Sequence, residues 1–426
     1  MKKILMLFLC ITLLCGCSIE EIHINAPSNN ETQQNSSVEV ISSNDSSITL
    51  PSKIYKAKNT TSYSNDLVFP HKNSNSTDVE SYFYYKSLSE NHKLIYNKLC
   101  LSIENMADGF IDVGYITDDD LSTLISYIKN DRPEYFWLGR DYIINTKEDG
   151  YKQLAFKFKS SEYSIDYLYS PSQRNEILSK IKNIISKIEA SLENKNQFEK
   201  ELYIHNYIID NCNYDENALN NPSNHKEAYN ICGALLQNKA VCEGYAKSIQ
   251  LLNNYFGIKT TVVIGKSNNQ NHMWNLVNID DEYYHLDATF NDNGTERLYA
   301  YFNLTNTAIN RSHQIDSSFY REISLPIANN LKMSYFSVYG SLIKDNPHVD
   351  ISSSIENAIL NKENSMDFGY GDDPKKIYKN NDDMLKDNID IKKIINSVCK
   401  KNKIKVQNIS LLFASNGNFK IKWEYL

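Results

Sequence analysis

The chain has 426 residues, a net charge of −7 and a 41% hydrophobic fraction that includes 30 tyrosines. That length predicts two or three domains, with about 350 residues ordered. No basic stripe and no acidic block are present, so nucleic acid is excluded as a partner; Lys392-Lys393 and Lys400–Lys405 read as solvated faces.

Met1-Lys2-Lys3 precedes an apolar run, Ile4–Leu14, which falls short of the about 20 residues a membrane-spanning helix needs. It reads as a secretory signal. The ending Leu14-Cys15-Gly16-Cys17 resembles the lipobox of bacterial lipoproteins, which implies lipidation at Cys17; an ordinary signal peptide cut nearby is the alternative. Residues 17–77 are rich in Ser, Asn and Thr and cannot bury enough apolar surface to offset ordering entropy, so they read as a disordered tether. The expectation is a chain anchored by lipid at the extracytoplasmic face of the bacterial membrane, with residues 1–16 removed.

Residues 78–198 read as an α+β extension. Leu94, Ile95, Leu99, Ile103 and Met106 recur at helical spacing and predict a helix over Glu90–Met106. Thr117 or Asp118 caps a second helix, which Pro133 closes. Strands are expected at Tyr142–Ile144, Leu154–Phe158 and Ser164–Tyr169, then Pro171 and Ser172 start a long amphipathic helix, Ile177–Leu192. Residues 199–318 form the next unit. It opens with a helix, Glu199–Cys212, in which His205 reads as a packing residue.

Chemistry concentrates in Asn238–Asp292. Cys242 opens a helical pattern that Gly257 ends, and a thiol at a helix N-terminus lies beside unpaired N–H groups that favour thiolate. Thr260–Ile264, His272–Ile279, Tyr283–Thr289 and, farther on, Tyr299–Leu304 read as strands. A two-residue turn at Asp280-Asp281 would set Trp274 opposite Asp287 and His272 diagonal to it, within side-chain reach. The set is a nucleophile, Cys242, a base, His272, and an orienting acid, Asp287. Its rivals are Cys232 as nucleophile, His285 as base and Asp292 as acid. The backbone N–H of Cys242 is the expected oxyanion donor. Trp274 is expected to shield the imidazole from water.

The blocks Cys242-Glu-Gly-Tyr-Ala, His272-Met-Trp-Asn and His285-Leu-Asp287-Ala-Thr-Phe resemble those of the transglutaminase-like superfamily. The resemblance covers roughly Glu199–Asp316. It implies an α+β, papain-like core, in which a helix carrying the nucleophile packs on an antiparallel sheet. It also implies an N-terminal α+β extension like that of bacterial members. Tyr284 and Phe290 stand where many relatives have Trp. Gln237, five residues before Cys242, lies where papain-like enzymes place an amide donor for the oxyanion.

Residues 319–426 read as a small α+β domain with strands at Met333–Val338, Ile404–Phe413 and Phe419–Trp423, and helical stretches at Ile351–Lys362 and Asp373–Cys399. No cysteine spacing fits zinc and no acidic run fits an EF-hand, so no metal or cofactor is expected. With Cys17 lipidated, one free reactive thiol at Cys242 explains the odd cysteine count, and a Cys212–Cys232 disulfide is an open possibility. The expected activity is acyl transfer from an amide of a protein or peptide, cell-wall peptide included, through a Cys thioester resolved by water or an amine. Polar stretches at Asn213–His225 and Lys266–Asn271 predict a wet entrance, and so hydrolysis or peptide cleavage as an outcome at least on a par with cross-linking. A non-catalytic surface module with the same cleft is the alternative. Oligomeric state is open.

Overall fold

The computed structural model describes residues 82–160, 164–294, 296–320 and 322–426, so the signal, the tether and Cys17 lie outside the described residues. Among the described residues no helix is long and apolar enough to cross a membrane.

The fold is mixed α+β. Its first part has helices Glu90–Glu104 and Asp118–Asp131, whose N-cap residues Ser89 and Thr117 accept the backbone N–H of His92 and Asp120. A three-stranded antiparallel sheet follows, in the order Ile111–Gly114, Lys152–Ala155, Ile143–Thr146. Its first strand gave no signal of alternation longer than two apolar positions, and was not expected. Pro171 at the first turn and a reciprocal Ser170–Gln173 capping box start the long helix Pro171–Ser191, earlier than apolar spacing alone indicates. A second capping box, Asn196 with Glu199, starts Gln197–Asn211.

The central unit is helix Cys242–Tyr255 packed on a four-stranded antiparallel sheet in the order Glu282–Leu286, Gln270–Ile279, Thr260–Ser267, His313–Ile315. Asp280 and Asp281 join the first pair as a two-residue turn, with φ of 50° and 65°. The last pairing is Leu286 with Asn275, which leaves Asp287 across from Trp274. Gly244 lets the helix lie against the 228–230 backbone: a Cβ there would come within 2.5 Å of the Ala228 carbonyl. The first part of the chain braces this unit. Tyr84 Oη donates to the Val262 carbonyl at 2.8 Å, and Gln250 Nε2 donates to the Asn130 carbonyl at 2.7 Å.

The C-terminal unit has a sheet ordered Leu342–Ile343, Ser365–Tyr370, Phe419–Tyr425, Val406–Phe413, with helices Pro347–Leu360 and Ile391–Asn402. Three expectations need correction. Tyr335–Val338 is a short helix, capped by Ser334, where a strand was expected. Asp373–Asn380 is irregular, and only Asn381–Lys386 and Ile391–Asn402 are helical in the stretch expected to be so. Tyr299–Leu304 is a turn segment, not a strand, touching the sheet through one bridge between Leu304 and His285.

Candidate active site

Cys242 is the first residue of its helix, and the N-cap Val241 supplies no side-chain cap. The first-turn N–H groups are therefore left unsatisfied by the helix itself, and the sulfur sits at the positive end of the macrodipole. Cys242, Tyr245 and Ala246 share one helix face at i, i+3 and i+4. That face is tied to the elements bearing the other two residues. Asn275 Nδ2, three residues beyond His272, donates to the Ala246 carbonyl at 2.9 Å, and Tyr245 Oη donates to Asp292 Oδ2 at 2.6 Å.

His272 and Asp287 meet directly: His272 Nε2 lies 2.7 Å from Asp287 Oδ2, with both side chains buried. His272 Nδ1 is buried and has no hydrogen-bond partner among the described residues. Since a carboxylate only accepts, Nε2 carries the proton, and in the neutral ring Nδ1 keeps the lone pair. Asp287 is not a strand residue as expected. It caps the short helix Ala288–Asn291, where its Oδ1 accepts the Phe290 N–H at 3.1 Å, and its own N–H donates to the Tyr301 carbonyl at 3.0 Å. Burial pushes the Asp287 carboxyl up; the His272 charge and the hydrogen bonds from two imidazoles outweigh it and hold the group well below the usual carboxylate range.

The second imidazole is His313, which no sequence motif marked. Its Nε2 lies 2.9 Å from the same Asp287 Oδ2. The three residues form the kind of carboxylate and two-imidazole set that could hold a metal, with ligand atoms within 4.8 Å of one another. Here the two nitrogens lie at hydrogen-bond distance from the shared oxygen, so proton-mediated bonds already account for their proximity.

The rivals are placed elsewhere. Burial pushes the Cys232 thiol up to about 12, the reverse of what a nucleophile needs. His285 accepts from Trp274 Nε1 at 3.0 Å and faces Asn306 through Nε2 at 3.2 Å; burial lowers it to about 4. Asp292 is bound to Tyr245. Gln237 ends the turn Gly233–Gln237 with its side chain exposed, and neither His272 nor Asp287 bonds to it. Cys212 and Cys232 are free, so the disulfide between them is absent.

The surroundings are also drier than expected. Trp274 stacks on the His272 ring at 6.0 Å and 19°, Phe290 approaches it to 4.8 Å, and Cys242, His272 and Asp287 are all buried. Trp274 is seated by Gly265, whose Cβ would fall 2.7 Å from its ring. The Asp287-capped helix Ala288–Asn291 turns Phe290 toward the imidazole.

Residues 185–288 match the Transglutaminase-like superfamily. The chain thus contains a transglutaminase-like domain, and Cys242, His272 and Asp287 all fall within the matched stretch. The match starts inside helix Pro171–Ser191 and stops one residue after Asp287, so His313 lies beyond it. A solved structure described as "Crystal structure of a TGase" aligns over 30% of this chain and 36% of that one, at 20% identity and a TM-score of 0.26. At that score it adds no argument. No curated protein matches the sequence.

Proposed function

We propose that this transglutaminase-like domain is a cysteine-dependent enzyme acting on amides of a protein or peptide. The Cys242 thiolate attacks the amide carbonyl, and N–H groups of the first helical turn receive the oxyanion. The imidazolium of His272 gives the Nδ1 proton to the leaving amine, and a thioester remains. Water or a primary amine, deprotonated by the same Nδ1, then resolves it. Asp287 stays ionised throughout and keeps the ring in its working tautomer.

The observation that carries this reading is the buried His272–Asp287 pair with an unpartnered Nδ1, on elements tied to the first turn of the Cys242 helix. The aromatic enclosure by Trp274 and Phe290 supports exclusion of water, which moves the expectation from hydrolysis toward transfer to an amine. The Leu14–Cys17 ending supports a lipid anchor outside the cell; Cys17→Ala should release the protein from the membrane fraction. A second reading is a binding module, favoured by the burial of Cys242.

The experiment uses the full chain under reducing conditions. A glutamine-containing peptide and a labelled primary amine are supplied together, and ammonia release and amine incorporation are measured. Both should be absent in Cys242→Ala. Equal signals from wild type and Cys242→Ala, or none from either with Cys242 unreactive to iodoacetamide, would leave the binding module.

A further inference from the structure

His313 lies on the outer strand His313–Ile315, opposite Ser267, and its side chain is fully buried. Its two nitrogens have different partners. Nδ1 faces Ser312 Oγ at 2.9 Å, and Nε2 faces Asp287 Oδ2 at 2.9 Å. The carboxylate can only accept, so Nε2 must carry a proton, while the hydroxyl can donate to Nδ1. One neutral tautomer thus satisfies both contacts. Burial is the largest influence on this ring and favours that neutral form.

The consequence falls on Asp287. A carboxylate held at one oxygen can still swing about its Cβ–Cγ bond. Asp287 is held at both: Oδ1 by the Phe290 N–H and Oδ2 by His313. His272 then meets an acceptor that is fixed without it. We propose that His313 is a positioning residue, whose Nε2–H pins Oδ2 of Asp287 so that the carboxylate fixes the tautomer and ring direction of His272. The effect on turnover rests on the acyl-transfer reading; the effect on the His272–Asp287 bond does not.

His313 also packs: its ring lies 4.9 Å from Phe290, 5.0 Å from Trp274 and 5.5 Å from Tyr301. Two variants separate packing from donation. His313→Phe keeps a ring and removes the donor. His313→Gln removes the ring and keeps an N–H near the Nε2 position. A positioning role predicts that His313→Phe lowers kcat by about 10–100-fold with KM within about twofold, the scale of losing an outer partner that orients a working group. His313→Gln should recover most of that loss.

Imidazole nitrogen NMR on the reduced full chain, without substrate, should show His272 and His313 both protonated at Nε2. The His272 Nε2–H signal should be strongly downfield in wild type and His313→Gln, and shifted upfield or exchange-broadened in His313→Phe. Wild-type activity in His313→Phe, or an unchanged His272 signal there, would overturn the proposal. So would a loss in His313→Gln as deep as in His313→Phe at equal melting temperature, which would mean packing alone. Activity abolished by a chelator and restored by zinc would instead make the trio a metal centre. If His313→Phe does not fold, the Gln variant decides, a tenfold fall in kcat counting against the proposal. Should no acyl transfer occur in wild type, the functional reading fails while the NMR comparison still judges His313.

Discussion

Two carboxyl–imidazole sets lie buried in the same domain and behave oppositely. At the front, Asp287 and His272 bond to each other, and the carboxyl is held far below its ordinary range. At the back, Glu201 and His205 sit one turn apart on helix Gln197–Asn211, yet each is bound to an amide. Asn303 Nδ2 donates to Glu201 Oε2 at 2.7 Å, and Asn291 Nδ2 faces His205 Nε2 at 2.9 Å. Burial pushes Glu201 up to about 8 and His205 down to about 4, so both are neutral at pH 7. The depth is similar; the partner differs. Side-chain amides do not offset desolvation of a charge there, whereas two imidazoles and a backbone N–H on one carboxylate do. Residue type alone therefore does not mark the working pair.

The largest expected effect breaks the front set outright. Cys242→Ala and His272→Ala should each lower amide turnover by at least about 10³-fold without unfolding the chain, read by ammonia release and far-UV circular dichroism. Asp287→Asn makes the front resemble the back by leaving an amide beside each imidazole. It should cost about 10²–10⁴ in kcat, because the amide can impose the wrong His272 tautomer. Less than a threefold loss would mean that the charge of Asp287 is not needed.

Gly265→Ala tests the seat of Trp274. The added methyl would lie 2.3 Å from the Gln314 carbonyl and 2.7 Å from the indole. A loss on the order of 1–3 kcal/mol in urea unfolding is expected, with activity falling further as the outer strand shifts. Glu201→Gln sharpens the back. The wild-type carboxyl takes up its proton at about 8 when folded against 4.5 unfolded, so the native state holds the extra proton between those values. Stability therefore falls as pH rises through that window, by on the order of 1–3 kcal/mol, and the Gln variant should flatten the dependence. The smallest effect is Cys232→Ser, which should leave turnover unchanged within about twofold.

How far the sequence could be read follows the same physics. Helix ends with local signals were legible: Thr117, Pro171 and Gly257 stand where helices begin or stop. The Asp280-Asp281 turn and the strands beside it were legible from alternation. Asp287 as a helix cap was not, because an acid two residues after a strand histidine fits either role until Tyr301 takes its N–H. His313 was invisible for a related reason. It joins the set through pairing with Ser267 across the sheet, which leaves no trace in local spacing. Phe290 was seen as an aromatic exchange, but its wall position depends on the direction in which Asp287 turns the chain.

The segment that receives Asp287 is itself fastened by the C-terminal unit. Tyr301 Oη bonds to Ser415 Oγ at 2.7 Å across 114 residues of sequence, and Asn416 and Asn418 both donate to the Ala300 carbonyl. Lys420 Nζ reaches the Arg297 carbonyl at 2.8 Å. A ribosome delivers Cys242 long before it delivers these clasps. The helix and sheet can form early from near neighbours, and Asn291 holds Leu298 and Tyr301 locally, but the Arg297 and Ala300 carbonyls lack these distant donors until the C-terminal residues arrive, a closure whose entropic cost delays it. The chain's synthesis thus has a built-in order: scaffold first, and the firm seating of the acid only after the C-terminal strands have emerged.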